Sequence, residues 1–585
     1  MRPDLRTWLL ILLLAAFFGL FLFFPIANVF RSALWESTGP TLFYARAALV
    51  KAWDYGWLTN ALALAACTTL VATLLAVPLA WVQAKTRFAG QRLLAAAILV
   101  PMILPPFVGV IGLKQLLGPY GALNAALAAL GLAHPGDAAD WFRLYPFAGV
   151  VALQALHLYP IIYLNVVAGL ANVDPSLEDA ARSVGAGPWR VFSRVTFPLT
   201  LPAYFAGAVL VFIWALTDLG TPLMFNYRDV VAVQIFDRVS EASSPEANAL
   251  VVLLLLLVAV LYWGAKRTLG PSSRGDYGMM AVATRAASPA PLTGRRTALA
   301  WLLFGGVTLL AVVPHLSVIL YSLKTEWHGT ILPAGLTLDH HRAALEWTAP
   351  GVGDRSLVLL SIRNSVLYSL GAVAIVLLLA VWIGYVLVRK RFAGRSLLDA
   401  VVMLPLALPG IVLAFGYLNC YADWGDRLVD AGLWRTNYLY PQDNPIALLV
   451  IAYAVRRLPY MVRSAVAGFQ QTSRTLEEAA LSVGAGPLRT LRRITVPLIL
   501  ANLAAGAILT FALSMLEVSD SLILAQTDVF NPVTRTIYRI YASEYAVTGE
   551  AVASALGVCA MLFLAITLVG ATALMGKRLG AVFRA

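Results

Sequence analysis

The sequence predicts an all-α polytopic membrane protein of about 12 transmembrane helices, laid out as two parallel repeats of six. Three observations predict this. The 585-residue chain is 60% hydrophobic and 12% charged, whereas a soluble protein is about 45–50% apolar and about 25% charged. Apolar stretches recur along the chain at the length of about 20 residues that a bilayer requires. Blocks of residues also return in the same order in the second half. Such a composition argues against a soluble enzyme, a nucleic-acid reader or a disordered chain, which has the opposite bias. The net charge of +13 is read as basic residues gathered in cytoplasmic loops, not as a nucleic-acid surface.

Arg2 and Arg6 precede an apolar run from Trp8 to about Phe30. The run exceeds a signal-peptide core and ends without a small-residue cleavage signal, so it reads as a retained span. Five more spans are expected near 58–83, 93–117, 146–171, 201–225 and 248–265. The second half repeats the series near 299–322, 364–388, 397–421, 446–470, 498–525 and 551–575. With the N-terminus inside, the cytoplasmic segments hold 25 Lys and Arg and the longer outer loops 14. That bias puts both termini in the cytoplasm. Residues 266–298, rich in Pro, Ser and Gly, read as a flexible cytoplasmic linker between repeats 1–265 and 299–585. Cys67, Cys420 and Cys559 have no metal or redox spacing.

Arg87-Phe88-Ala89-Gly90 returns as Arg391-Phe392-Ala393-Gly394, 304 positions later. Asn60 returns as Asn364, Pro101 as Pro405 and Pro105 as Pro409 at the same offset. Ser183-Val184-Gly185-Ala186-Gly187-Pro188 returns unchanged as Ser482 to Pro487, at an offset of 299. An even number of spans per half makes the repeats parallel, about an axis along the membrane normal. Prolines inside the third and ninth spans remove helix hydrogen bonds. Such breaks either face a cavity or serve as packing kinks.

The loops after the fourth and tenth spans carry the strongest motif. The first reads Glu178-Asp179-Ala180-Ala181 with Gly185; the second reads Glu477-Glu478-Ala479-Ala480 with Gly484. Asp174 and Ser473 are N-cap residues, and Pro175 suits a first helical position. Capping-box spacing at Ser176/Asp179 and Thr475/Glu478 offers a start two residues later. The glycines stop each helix, and Pro188 and Pro487 open the next. Two folded elbows on one side suit a partner docked twice.

These loops resemble the EAA loop of type I ATP-binding-cassette (ABC) importer permeases: Glu-Ala-Ala, three residues, Gly, nine residues, Ile-x-Leu-Pro. Asp179 stands for Glu, and Val195 and Phe197 stand for Ile and Leu, in the first copy; Val496 stands for Leu in the second. The resemblance covers roughly residues 58–265 and 364–575 and implies the type I ABC importer permease fold. It implies that the elbows are coupling helices for two copies of a cytoplasmic ABC ATPase. It also implies a periplasmic or extracellular substrate-binding protein at the opposite face and a place in the bacterial inner membrane. The fused form resembles the ferric-iron uptake branch most, with thiamine, phosphonate and sugar-phosphate permeases as neighbours in style. The chain has no phosphate-binding G-x-x-x-x-G-K-[ST], so no cofactor is expected on it, and ATP is expected on the partner subunit.

Charges inside spans are costly and face a bundle interior or cavity. Asp218 aligns with Glu517, and Asp520 follows one turn later. Arg456, Arg457 and Arg463 lie on the tenth span, with His157 in the place of Arg456 in the first half. These groups either line the path and offer forked donors to an anionic or chelated substrate, or pair with each other to hold helices. A gate that breaks on opening would do both. A rival reading is an ion-gradient-driven secondary transporter with Asp218, Glu517 and Asp520 as proton carriers. It leaves the duplicated elbow unexplained. His328, His340 and His341 lack a metal-site spacing and read as surface residues.

Overall fold

The computed structural model describes residues 5–36, 39–102, 104–132, 145–241, 244–274, 289–348, 355–435, 437, 439–543 and 546–575. These are helical almost throughout. The only strands among them are two-residue pairs, Trp35–Glu36 with Gly39–Pro40 and Thr86–Arg87 with Ala290–Pro291.

Among the described residues, eight helices are long and apolar enough to cross a membrane: Trp8–Leu34, Trp57–Lys85, Pro146–Ala171, Pro188–Thr217, Pro245–Gly264, Arg295–Leu323, Leu357–Arg389 and Thr548–Thr567. Three bent pairs raise the count to 11. The remaining expected span is the 26-residue helix Ile446–Gln471. Its three arginines make it too polar to count by composition alone. The prolines of the third and ninth spans produce bends of 95° and 96°, and the eleventh span bends by 74°. Of the expected linker, residues 275–288 lie outside the described residues, as does the C-terminal segment 576–585. The sixth helix runs on through 266–274 to Arg274.

The chain forms two compact units. One comprises Met1–Leu49, Ile235–Leu255 and His340–Ala585; the other comprises Val50–Gln234 and Leu256–Asp339. Each unit thus joins the leading span of one repeat to the body of the other. In the second unit, Gly112 lies against Pro314 of the seventh span, where a Cβ would overlap the proline carbonyl. In the first, the equivalent Gly416 lies against Pro25 of the first span, where a Cβ would stand a tight 3.1 Å from the ring and 3.2 Å from the carbonyl oxygen.

An unpaired carbonyl within a bilayer costs several kcal/mol, and side chains satisfy several that these helices release. His157 Nδ1 lies 2.8 Å from the Pro101 oxygen, and His315 Nε2 lies 3.3 Å from that of Pro105. The first span carries a π-turn over Gly19–Phe23. There the Tyr421 and Tyr417 hydroxyls donate to Leu20 and Phe21 oxygens, both at 2.6 Å. The repeated asparagines also share a task. Asn60 Nδ2 donates to the Asp229 oxygen at 3.1 Å, and Asn364 Nδ2 to those of Val529 and Asn531 at 2.9 and 3.3 Å. Each ties the head of a long span to the loop after a broken one.

Candidate functional site

The two elbows fold alike. Asp174 accepts from the Ser176 N–H at 2.9 Å and starts helix Pro175–Ser183. Ser473 accepts from the Thr475 N–H at 3.2 Å and starts Arg474–Ser482. The earlier of the two starts is therefore used in both copies. Each helix ends in a Schellman turn. Ala186 N–H donates to Ala181 O at 3.1 Å, and Gly185 N–H to Arg182 O at 2.9 Å. Ala485 and Gly484 repeat these bonds to Ala480 and Leu481, at 3.0 Å each. Gly185 and Gly484 both hold φ of 84°, a left-handed conformation that disfavours a side chain. A short helix and a π-turn follow, Phe192–Thr196 in one copy and Leu491–Thr495 in the other.

One carboxylate fastens each elbow, buried at Glu178 and half-buried at Glu477. Lys85 Nζ donates to Glu178 at 2.5 Å, and Thr196 Oγ1 donates to the same oxygen at 2.7 Å. At the equivalent Glu477, Arg389 Nε donates to both carboxylate oxygens at 3.1 Å, and Thr495 Oγ1 donates at 3.2 Å. Arg389 also reaches the Thr472 carbonyl and hydroxyl, at 3.1 and 2.8 Å. The end of a long span, the elbow helix and the π-turn are thus joined at one point in each repeat.

The next carboxylates point outward. Asp179 and Glu478 are exposed, and Asp179 pairs with Arg182 of its own helix, at 3.3 Å. Ala180 and Ala479 are exposed too, while Ala480 is buried. The tips are apolar: Val184 and Trp189 are 83% and 76% exposed, and Val483 and Leu488 are 85% and 64% exposed. Large side chains left in water at matched positions mark an interaction surface.

Within the spans, the two halves differ. In the second half Glu517 takes ion pairs from both Arg456 and Arg457, and Asp520, fully buried, lies 3.4 Å from Arg456. Arg457 also donates to the Leu513 oxygen at 3.0 Å. Arg456 Nε, Arg457 Nε and Asp520 Oδ1 are buried without hydrogen-bond partners. Three unpaired polar atoms in one buried cluster are unusual, since each carries a desolvation cost. Arg463 does not join this cluster. It is 56% exposed, 3.6 Å from Asp399.

In the first half Asp218 meets no cation within ion-pair distance among the described residues. Gln154 Nε2 donates to it at 2.9 Å, and the Gly220 and Thr221 N–H groups donate at 3.1 and 3.3 Å. It therefore caps the short helix Gly220–Met224. Thr68 Oγ1 donates in turn to Gln154 at 3.1 Å.

Of the histidines at 328, 340 and 341, His328 stacks on Tyr120 with ring centroids 4.5 Å apart. Burial, then the neighbouring His340, lower the pKa of His341. Sequence reasoning missed Lys85, Arg389, Thr196 and Thr495. The repeat offsets pair Lys85 with Arg389 and Thr196 with Thr495, and that duplication was the available signal.

A family model described as "Binding-protein-dependent transport system inner membrane component" matches residues 72–267 and 376–580. The ferric transport system permease protein FbpB of Actinobacillus pleuropneumoniae is 26% identical over 561 residues, 92% of this chain and 74% of the relative. A putative ferric transport system permease protein, FbpB 1 of Haemophilus influenzae, is 26% identical over 548 residues, 91% of this chain and 79% of the relative. The molybdenum transport system permease protein ModB of Escherichia coli strain K12 is 34% identical over 149 residues, 25% of this chain and 60% of the relative.

Proposed function

The chain belongs to the family of binding-protein-dependent transport inner-membrane components, and from that premise we propose what it carries and what moves it. It is the multi-pass permease subunit of an ABC importer. The substrate we assign is ferric iron, supported by the names of relatives that align along nearly the whole chain. A periplasmic or extracellular binding protein delivers it to the outer face.

The motor is a cytoplasmic ABC ATPase in two copies, one on each elbow. The residues carrying the contact are Glu178 to Ala181 with Gly185, and Glu477 to Ala480 with Gly484. Glu178 and Glu477 fix the elbows from inside, while the apolar tips and Asp179 and Glu478 meet the partner. ATP is bound and hydrolysed on that partner. Its closure draws the elbows together and turns the cavity outward, and hydrolysis returns it. Binding of ATP shifts this equilibrium only as far as its affinities for the two states differ. N- and C-termini lie in the cytoplasm, and the repeats meet in the linker 266–298. Asp218, Arg456, Arg457, Glu517 and Asp520 stand beside the path, with Arg463 nearer its end.

The single observation that carries this reading is the pair of elbows capped and anchored at equivalent positions, with exposed apolar tips. Proteoliposomes holding the chain, its ATPase and its binding protein test it. Radio-iron accumulation that requires all three and ATP is the expected result. Accumulation driven by an ion gradient without the ATPase would overturn the coupling. Uptake of molybdate in preference to iron would overturn the substrate assignment.

A further inference from the structure

The segment between the first and second spans forms one 12-residue helix, Phe43–Asp54, about 18 Å long at 1.5 Å per residue. At 100° per residue its side chains fall into three sectors. Ala48 and Ala52, one turn apart, are buried at 5% and 0% exposure. Tyr44, Ala47, Lys51 and Asp54 form a second, mostly polar sector. Leu49, Val50, Trp53 and Phe43 form a third, 45%, 48%, 62% and 69% exposed, with Leu42 at 73% just ahead of it. Arg46 is the one charge in that sector.

We propose that Phe43–Asp54 is an interfacial helix lying in the bilayer surface, with its third sector in the headgroup–acyl boundary. Asp54 lies three residues before Trp57, where the second span begins, so the helix is tethered at the membrane face. Exposed aromatic side chains also flank the helix in the sequence, Phe23, Phe24 and Trp35 before it and Tyr55 after it. Tryptophan and tyrosine concentrate at this depth because their rings are apolar and their polar tips need water. Arg46 and Lys51 outnumber the single acid, Asp54. Their long stems let both charges reach lipid phosphates while the helix stays shallow. The inference needs only that the chain spans a membrane, not that it carries iron.

Nitroxide scanning of the full-length protein in nanodiscs of phosphatidylethanolamine and phosphatidylglycerol tests the assignment. Single labels replace Ala47, Leu49, Lys51 and Trp53 in a chain whose three native cysteines are removed. Collision with oxygen, which prefers lipid, is compared with collision with a water-soluble nickel chelate. The oxygen-to-nickel ratio is expected to be several-fold higher at 49 and 53 than at 47 and 51. Should the Trp53→Cys protein not fold, Leu42→Cys reports on the same sector. Equal ratios at all positions would overturn the proposal, as would exclusion of both reagents from 49 and 53. Nickel access at 49 and 53 that disappears on adding the binding protein would also overturn it, by making this face a protein dock.

Discussion

Glu178 and Glu477 occupy equivalent places and are held by the same device: a cation from the end of a long span and a threonine from a π-turn. Asp218 and Glu517 also occupy equivalent places, yet one is held by an amide and backbone N–H groups and the other by two arginines. Duplication supplied the same scaffold to both regions. On the proposed function, a partner docking twice in the same way would constrain the elbows to stay alike. Nothing requires the two halves of a membrane interior to present identical groups, and there the charges diverged. On that reading the elbows report a shared motor, and the intramembrane centres what is individual to this importer.

The largest expected effect tests the interior half of that contrast. Glu517→Gln leaves two buried guanidinium groups beside a single remaining acid, and breaking a buried pair costs about 3–5 kcal/mol. Asp218→Asn removes a charge that has no cationic partner among the described residues, and its cost is that of weakened hydrogen bonds, about 1 kcal/mol. Thermal denaturation in detergent, followed by loss of the monodisperse species, should show a large drop for the first and a small one for the second. Equal drops would mean that Asp218 has an ionic partner in solution and that the two centres are alike.

A second pair of variants probes the packing. Gly112→Ala must displace the Pro314 carbonyl, whereas Gly416→Ala meets the Pro25 ring at 3.1 Å and its carbonyl oxygen at 3.2 Å, a tight contact without outright overlap. Overpacking typically costs about 1–3 kcal/mol, so both should melt below the parent, the first further than the second. If both melt alike, the two proline–glycine crossings are equally tight and the asymmetry belongs to the charges alone.

Much of this was legible because duplication prints the same residue twice. The acid–arginine pairing of the second half stood as one of two open readings, while the elbows and their glycine stops followed from spacing. So did the significance of Asn60 and Asn364, although not their partners. The exchange of leading spans was not legible. Trp8–Leu34 and Arg295–Leu323 are apolar over most of their surfaces, and periodicity does not say which body an apolar helix joins. The role of Asp218 as a cap was hidden as well, because it arises only when the fifth span stops at Thr217. Arg463 misled for a related reason. It shares a helical face with Arg456, but the carboxylates lie a turn or more away along the axis, and it points to Asp399 instead.

The elbows supply the next test. Glu178→Gln and Glu477→Gln each keep the shape and lose a charge-assisted bond, worth about 1.5–3 kcal/mol locally. Both should loosen their elbow to a similar degree, read as faster hydrogen exchange over 175–183 and 474–482. ATPase stimulation by the loaded binding protein should fall by similar factors. A defect confined to one copy would break the equivalence of the two docking points.

The smallest effect gives the finest comparison. An alanine at Gly185 or Gly484 must adopt φ of 84°, which costs an L-residue roughly 1–2 kcal/mol. Neither position has an atom within 4 Å of the added Cβ, so strain is the whole cost and no clash confuses it. Each variant should therefore remain folded, with transport reduced in proportion to the fraction of elbows that keep their Schellman turn. Gly185→Asn and Gly484→Asn should be milder, because asparagine tolerates the left-handed region better than alanine does. Matching alanine defects and matching asparagine rescue, measured as ATP-dependent uptake, would show that the motor reads both elbows through the same turn. A difference between copies would then point to the tips, where Trp189 stands in one and Leu488 in the other, or to the anchors, Lys85 in one and Arg389 in the other.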